Sequence, residues 1–438
     1  MKTKTNLTSV FAVAMTIAAT GAIVSSCSVA RIFTYWFPEI DDHKIFHSVE
    51  LTPPPTPFTF IEGTPEARQQ VASIIVESDI WRGTGADTLG MPLEQYLAHR
   101  STTTAFLVIR NDSILFENYY GGYDRTKIST VFSVSKSVTS LMTGIAVDEG
   151  YIESVHDPVT KYIPELSKKD PRWDRLTVEH LLDMRSGFKF KETYSNFFSK
   201  SAALYYGVNH LGKMKRMRFE SEPGAGDDNG FGNYQSATTA MLGLVEQLAV
   251  GRNMAEYMQD KVWTPMGMEN RATWSIDDRR HRMTKSDSGL NTTARDLAKI
   301  GRLYLHHGNW NGTQIVDSLW VARSITPNAA NRGYQYQWYS FSGNLINPDT
   351  KDTVWGDSAD SAAENAAESL KEGGYTHWTV YQRDGGWRVR VYPGYFFAQG
   401  INGQFIWVDP AKNLIIIRLG EKWDRGVSTL IYRTSEEL

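Results

Sequence analysis

The segment FSVSKSVTS, residues 132–140, places a serine three positions before a lysine at the start of an apolar repeat. The repeat has the spacing of one helical face and ends at Gly150, which predicts an amphipathic helix. Its apolar positions are Val138, Leu141, Met142, Ile145 and Ala146. Because positions i and i+3 share a helical face, we expect the Lys136 ammonium beside the Ser133 hydroxyl.

This serine–lysine spacing has a catalytic and an ordinary interpretation. The partial positive charge of a helix N-terminus favours an alkoxide, and burial lowers the pKa of a lysine. A neutral Lys136 can take the proton of Ser133, whereas an exposed lysine with a pKa of about 10.4 cannot. In the ordinary interpretation, Ser133 lies near an N-cap and Lys136 on a solvated face. The pair alone leaves both interpretations open.

A second serine–lysine pair at the same spacing occurs at Ser186 and Lys189. Two fixed letters at one spacing arise by chance about once or twice in a chain of this length. Gly187 follows this serine directly and no long helical repeat follows, so the segment is typical of a turn. The sequence therefore favours Ser133 as the nucleophile.

A tyrosine that could move a proton lies in GFGNYQSATTAML, residues 230–242. Tyr234 comes just before a predicted helix, with Ser236 two residues on. A tyrosine at a helix mouth can relay a proton if nearby cations lower its pKa from about 10. Tyr194, in YSN, is a competing candidate, but no regular helix follows it. We expect Tyr194 to be a loop aromatic that could line the cleft.

An oxyanion hole is indicated by FFAQGINGQFIWVDP, residues 396–410. A strand followed by glycines lets a backbone N–H approach a substrate closely. Together with the N–H of Ser133, such a donor could stabilise an oxyanion. An ordinary strand with glycine kinks is the alternative.

The strand patterns predict an α/β fold whose sheet joins both ends of the chain. Residues 104–120 form two β-rich runs around Asn111-Asp112, and residues 403–420 form a second hairpin. Helical periods dominate between the hairpins, and three of them stop at Gly150, Gly251 and Gly308, which predicts flanking helices and an inserted helical subdomain. The segment DSADSAAENAAESLKEGG, residues 357–374, is interpreted as a loop insertion, with the acidic stretch 357–368 as a solvated helix or loop.

The N-terminus has the pattern of an export signal. Two lysines precede an apolar run and small residues, and VSSC ends at the only cysteine, Cys27. Residues 1–27 are interpreted as a signal peptide with a lipobox, 28–65 as a proline-containing extended lead-in, and 66–438 as the hydrolytic domain. We expect an exported, membrane-anchored lipoprotein facing the periplasm or the cell exterior. An uncleaved anchor and simple secretion are the alternatives.

Composition excludes several other classes of protein. The 46 basic and 49 acidic residues give a formal net charge of −3, so no basic excess indicates a nucleic-acid partner. A single cysteine cannot form an internal disulfide. No zinc-protease motif, phosphate loop or dinucleotide fingerprint is present, and no cofactor or metal is expected.

These segments together resemble the serine β-lactamase and penicillin-binding protein superfamily, in its class C and esterase-like branch, and most closely the 6-aminohexanoate-dimer hydrolases. The resemblance covers roughly residues 95–422. It rests on FSVSKS, LLDMRSGF, PGAGDDNGFGNYQS, PMGME, SGLNTTARDLAKIGRLYLHHGNWNG and GINGQFIWVDP. It implies a β-lactamase-like fold, Ser133 as the acylated nucleophile, Lys136 as its activator and Tyr234 as the tyrosine of the second motif.

The third family motif, often Lys-Thr-Gly, His-x-Gly or Trp-x-Gly, is altered here. The matching triplet is Ala398-Gln399-Gly400, and the resemblance implies the N–H of Ile401 as second oxyanion donor. Loss of the first residue of the motif weakens the case for recognition of a β-lactam carboxylate. The expected function is hydrolysis of a small-molecule or short-peptide amide or ester. A penicillin-binding receptor with little turnover, a D-amino peptide hydrolase or esterase, and a catalytically silent surface protein are alternatives.

Overall fold

The computed structural model describes residues 28–35, 37–77, 90–193, 199–225, 233–327 and 333–438. Within these ranges no helix has both the length and the hydrophobicity to cross a membrane. Cys27 and Tyr194 lie outside the described residues.

An eight-stranded sheet forms the centre of the fold. Its strands, in spatial order, are Tyr334–Gln335, Trp338–Ser340, Phe396–Gly400, Gln404–Asp409, Leu414–Gly420, Thr103–Arg110, Ser113–Tyr119 and Ile61–Glu62. The two predicted hairpins lie side by side, since Leu414–Gly420 pairs antiparallel with Thr103–Arg110. Asn111 and Asp112 both have positive φ in the first turn, as a tight hairpin turn requires. The predicted α/β architecture, with a sheet joining both ends of the chain, is confirmed.

The strand Thr103–Arg110 is apolar along its whole length because both sheet faces are covered. Leu107 and Ile109 pack into the large core on one face, whereas Phe106 and Val108 pack into a second core on the other. Successive strand residues point to opposite faces, so one continuous apolar run serves two cores.

α-Helices lie between the two hairpins, before the first and after the second. The α-helices are Ser28–Tyr35, Pro65–Ala72, Leu93–His99, Val134–Asp148, Val178–Leu182, Lys200–Tyr205, His210–Met214, Ser236–Val250, Met254–Met258, Ala294–Leu305, Ser318–Ile325, Ala359–Glu372 and Val427–Glu436. The three helices predicted from apolar periods begin and end near the expected residues. Gly150, Gly251 and Gly308 all have positive φ just beyond them, which L side chains adopt only with strain.

A second, four-stranded antiparallel sheet leads into the serine–lysine segment. Its strands in spatial order are Ser48–Leu51, Ala272–Ser275, Leu290–Thr292 and Ser129–Thr130. The strand Ser129–Thr130 ends three residues before Ser133, so this sheet fixes the start of the helix Val134–Asp148.

The segment 28–65 differs from the extended lead-in that its prolines indicate. It contains the helix Ser28–Tyr35 and the strand Ser48–Leu51, which pairs with Ala272–Ser275. Phe46 packs edge-on against Tyr205. Contacts with residues more than 150 positions away place this segment in the fold, and such contacts leave no local signal in the sequence. The boundary at residue 66 remains a prediction.

The loop insertion predicted at 357–374 is wrong, because most of it forms the helix Ala359–Glu372. Ala362, Ala366 and Leu370 lie on one face and are buried against a small separate sheet. The strands of that sheet are Gly343–Asn344, Trp355–Gly356, Trp378–Arg383 and Gly386–Val391. Alanines at i, i+4 spacing give a helical face that is buried but weakly hydrophobic, which explains why the sequence suggests solvation. Two remaining short ladders pair Ile75–Val76 with Met91–Pro92 and Asn309–Trp310 with Thr313–Gln314.

Candidate active site

Ser133 lies at the mouth of the helix Val134–Asp148, in the N-cap position. The preceding residue, Phe132, is buried and has a φ of 47°, an unfavourable conformation for a residue with a side chain. Backbone bonds from Thr130 to Ile40 O and from Val131 to Leu290 O hold the approach to the helix. Strain of this kind persists only where the surrounding structure imposes it, and it often marks a functional position.

Lys136 is buried one helical turn after Ser133 and its Nζ is surrounded by oxygen atoms. The Nζ lies 3.0 Å from Ser133 Oγ, 3.1 Å from Ser236 Oγ and 2.7 Å from the carbonyl oxygen of Asp287. Burial is the largest influence on this group and lowers the pKa of Lys136, although Asp287 and Glu192 act in the opposite direction. Lys136 is therefore held against the serine hydroxyl with a reduced cost of losing its proton.

Tyr234 lies on the other side of Ser133. Tyr234, Tyr339 and Ser133 line the same cleft. The Nζ of Lys136 is 5.3 Å from the centroid of the Tyr234 ring. Burial raises the pKa of Tyr234 above its usual 10, and the interaction with the Ser133 side chain opposes that increase only in part. The condition that nearby cations lower this pKa is not met, because burial is the largest influence, and Tyr234 keeps its proton at neutral pH.

Glu192 is a site residue that the sequence does not reveal. Its carboxylate accepts a hydrogen bond of 2.8 Å from the N–H of Ser236 and one of 2.9 Å from the Ser236 hydroxyl. Ser236 thus connects Glu192 to Lys136 through a single hydroxyl group. The segment around Glu192 shows no helical period, and its partner is 44 residues away in the chain, so no local pattern could have indicated the contact.

Gly400 ends the strand Phe396–Gly400 directly beside the start of the Ser133 helix. A Cβ at this position would lie 2.4 Å from the carbonyl oxygen of Val131 and 3.2 Å from the N of Ser133. No side chain fits there, because real Cβ atoms do not approach a backbone oxygen that closely. The altered third motif thus keeps its glycine, which lets the strand carrying Ile401 approach the N–H of Ser133.

The turn that follows Gly400 is held from two sides. The guanidinium of Arg418 donates bonds of 2.9 Å and 2.7 Å to the carbonyl oxygens of Asn402 and Gly403. The side-chain amide of Asn402 donates to the carbonyl oxygen of Pro38 at 3.1 Å. Since Ile401 lies between Gly400, which packs against Val131 and Ser133, and the anchored Asn402, its backbone is fixed relative to Ser133.

An open cleft of about 370 Å³ exposes Ser133 to solvent. Four of the ten described lining residues are aromatic, and the acidic one is Glu192. The lining residues, besides Ser133 and Glu192, are Phe37, Tyr234, Tyr339, Gln399, Gly400, Ile401, Asn402 and Trp423. No lysine or arginine is among them.

Ser186, the competing serine, is buried in a hydrogen-bonded turn and does not line the cleft of Ser133. Its hydroxyl pairs with Thr238 Oγ1 at 2.7 Å, and the following Gly187 has a φ of 72°. Within the described ranges, the serine hydroxyl beside a buried lysine amine at the predicted spacing is therefore that of Ser133.

One group among the described residues has the composition of a metal site. Ligand atoms of Asp277, Asp278 and His281 lie within 4.8 Å of one another. His281 Nδ1 lies 2.8 Å from Asp278 Oδ2, and Asp277 accepts the backbone N–H groups of His210 and Met283, so each of these side chains already has a hydrogen-bond partner. None of the three lines the cleft of Ser133.

Residues 92–431 match the model of the family described as Beta-lactamase, which is more than three quarters of the chain. The chain belongs to the Beta-lactamase family. It is a hydrolase of the serine β-lactamase and penicillin-binding protein superfamily, as its motifs indicate.

Proteins similar to this chain include 6-aminohexanoate-dimer hydrolases and a penicillin-binding protein homologue. A 6-aminohexanoate-dimer hydrolase of Paenarthrobacter ureafaciens is 26% identical over 338 residues, covering 75% of this chain and 74% of that protein. A Bacillus anthracis structure provisionally assigned as a 6-aminohexanoate-dimer hydrolase has a TM-score of 0.66 at 18% identity, covering 91% of each chain. A penicillin-binding protein homologue from Caulobacter crescentus has a TM-score of 0.52 at 13% identity, covering 84% of this chain and 98% of that one. At these identities the structural matches show the shared fold.

Proposed function

We propose that this hydrolase cleaves an amide or ester through a covalent acyl-enzyme on Ser133. The observation that carries the proposal is the position of the Lys136 Nζ, 3.0 Å from Ser133 Oγ in a buried environment that favours its neutral form. A neutral amine within hydrogen-bond distance of a hydroxyl can act as its general base. A solvated surface lysine would not have this geometry or this burial.

Acylation then proceeds in three proton transfers. Lys136 takes the proton of Ser133 while Oγ bonds to the substrate carbonyl carbon, and the backbone N–H groups of Ser133 and Ile401 stabilise the resulting oxyanion. Tyr234, which keeps its proton because burial raises its pKa, donates that proton to the leaving nitrogen or oxygen. The carbonyl–leaving-group bond breaks, and Tyr234 recovers a proton from Lys136.

The cleft supports an uncharged or weakly polar acyl group as substrate. Its described lining offers aromatic rings and backbone or amide groups, and it has no cation that would pair with the carboxylate of a β-lactam. The named activity of the Paenarthrobacter relative adds linear amide dimers to the candidates. A receptor that is acylated by β-lactams with little turnover remains the second candidate.

A substrate panel tests the proposal. Purified protein and its Ser133→Ala variant would be compared on p-nitrophenyl esters, a linear amide dimer, short D-amino peptides and a chromogenic cephalosporin. We expect serine-dependent turnover of an ester or linear amide and weak or no turnover of the cephalosporin. Turnover that persists in Ser133→Ala, or preferential reaction with the cephalosporin, would contradict the proposal.

We also infer export with a lipid on Cys27, from the apolar run followed by VSSC. Mass spectrometry of the native N-terminus would detect a chain that begins at a lipidated Cys27. A chain that begins at Met1, or one cut elsewhere with an unmodified cysteine, would exclude this localisation.

A further inference from the structure

A small cavity lies beside the open cleft and shares Ser133, Glu192 and Ile401 with its lining. It has a volume of about 20 Å³. Its lining includes Ser133, Glu192, Ser236, Asp287, Ser288 and Ile401. A cavity of roughly 10–15 Å³ or more with two to four polar partners has room for one ordered water. The size and the polar lining therefore match a single water molecule.

Two atoms of the lining residues need a partner of this kind. Asp287 Oδ1 and Ser288 Oγ are buried and have no hydrogen-bond partner among the described residues. Buried polar atoms in folded proteins are almost always satisfied by protein groups or by ordered water. Because Asp287 and Ser288 both line the cavity, a water there would satisfy them.

We propose that this cavity holds the water that hydrolyses the acyl-enzyme, and that Glu192 takes its proton. The cavity contacts the acylated serine and the carboxylates of Glu192 and Asp287, whereas Lys136 and Tyr234 do not line it. Of the two carboxylates, that of Glu192 accepts the hydrogen bond from Ser236 Oγ, which is bonded in turn to Lys136 Nζ. A carboxylate within reach of a water can act as a general base. This inference rests on the proposed acyl-enzyme. It assigns deacylation to Glu192, whereas acylation is assigned to Lys136 and Tyr234.

The proton that the water releases can return to Ser133 along an observed chain of hydrogen bonds. The water oxygen bonds to the acyl carbon as its proton passes to Glu192. Glu192 Oε1 lies 2.9 Å from Ser236 Oγ, which lies 3.1 Å from Lys136 Nζ, which lies 3.0 Å from Ser133 Oγ. The proton can thus reach Ser133 Oγ as its bond to the acyl carbon breaks, releasing the acid and restoring the free enzyme.

Pre-steady-state kinetics on the full chain with a p-nitrophenyl ester separates acylation from deacylation. The rapid phase reports acylation and the steady state reports deacylation. In Glu192→Gln we expect an acylation rate within about threefold of wild type and a deacylation rate reduced on the order of 10²- to 10⁴-fold. The acyl adduct on Ser133 should then accumulate in the intact-mass spectrum. Glu220→Gln, an exposed carboxylate that does not line the cavity, is the matched control and should leave both phases unchanged.

A second variant tests the cavity itself. Ser288→Val removes a polar partner and adds a methyl group to the space. Methanol that enters through the open cleft can also accept the acyl group from Ser133 and then competes with the cavity water. If Ser288→Val displaces that water, the ratio of methyl ester to free acid should rise at least tenfold. Ser286→Ala, on the same loop but outside the cavity lining, should leave the ratio unchanged.

Three results would overturn the proposal. Acylation and deacylation that fall together in Glu192→Gln would show that Glu192 only positions Ser236. A deacylation rate near that of wild type in Glu192→Gln would remove Glu192 as the base, and an unchanged product ratio in Ser288→Val would remove the water from the cavity. Absence of any adduct on Ser133 in wild type is a different failure, since it would contradict the acyl-enzyme itself.

Discussion

The Nζ of Lys136 lies 3.0 Å from Ser133 Oγ and is buried at the start of the same helix. Burial lowers the pKa of this lysine, so the structure favours the form that can accept a proton. A charge-only role and a base role for Lys136 predict different behaviour in variants.

Replacing Lys136 by arginine separates charge from basicity. Arginine keeps the positive charge but does not deprotonate in proteins. If Lys136 is a base, Lys136→Arg should lose about as much activity as Lys136→Ala, on the order of 10²- to 10⁴-fold in kcat/KM. Steady-state kinetics on one ester and one amide would measure this. Wild-type-like activity in Lys136→Arg would show that charge alone suffices.

The pH dependence of acylation should report the Lys136 pKa. The active form of the base is neutral, so kcat/KM should rise with pH and level off above that pKa. Because burial lowers it, the midpoint should lie below the value of about 10.4 for an exposed lysine. The profile would be measured with an ester whose leaving group does not titrate in the range, with circular dichroism to confirm folding at each pH. A midpoint at 10.4 or above would contradict the expected lowering of the Lys136 pKa by burial. The same rise of kcat/KM with pH in Lys136→Arg would show that the midpoint belongs to another group.

Removing the hydroxyl of Tyr234 should affect amides more than activated esters. Tyr234→Phe keeps the ring and its packing against Tyr334 and Tyr339. An amide nitrogen must be protonated before it leaves, whereas p-nitrophenolate leaves unaided. The ratio of kcat/KM for ester to amide should therefore increase in Tyr234→Phe. An equal loss on both substrates would remove Tyr234 as the acid for the leaving group.

Adding a methyl group at Gly400 should disrupt the oxyanion hole. The Cβ would meet Val131 O at 2.4 Å and Ser133 N at 3.2 Å, and the strand would have to move away from the helix. Loss of one oxyanion donor reduces kcat about 10²- to 10³-fold in other hydrolases. Gly343→Ala is the control, because its Cβ meets nothing within 4 Å and its φ is not positive. Comparable kcat in both variants, with both proteins folded, would contradict the placement of the hole.

The parts of this site that the sequence predicts are those encoded by local spacing. Ser133 and Lys136 are three residues apart on one helix, and the hairpin turn at Asn111-Asp112 needs only four neighbouring residues. Such features are fixed by backbone geometry within one element. The central sheet could be predicted because both of its hairpins have strong strand patterns.

The remaining parts depend on contacts between distant segments. Glu192 reaches Ser236 across 44 residues, and the carbonyl of Asp287 meets Lys136 across 151. A backbone carbonyl has no sequence signature at all, and a carboxylate in a loop resembles any solvated acid. The hydrogen bond from Asn402 to the carbonyl oxygen of Pro38 joins residues 364 positions apart. Because such a contact leaves no local pattern, the N-terminal segment looks like a linker in the sequence.

The most direct test of the account is to locate the covalent adduct of a fluorophosphonate probe. Wild-type protein and the variants Ser133→Ala and Ser186→Ala would be labelled, digested and mapped by mass spectrometry. The account predicts a single adduct on Ser133, full labelling of Ser186→Ala and none of Ser133→Ala. An adduct on Ser186, or full labelling of Ser133→Ala, would contradict it.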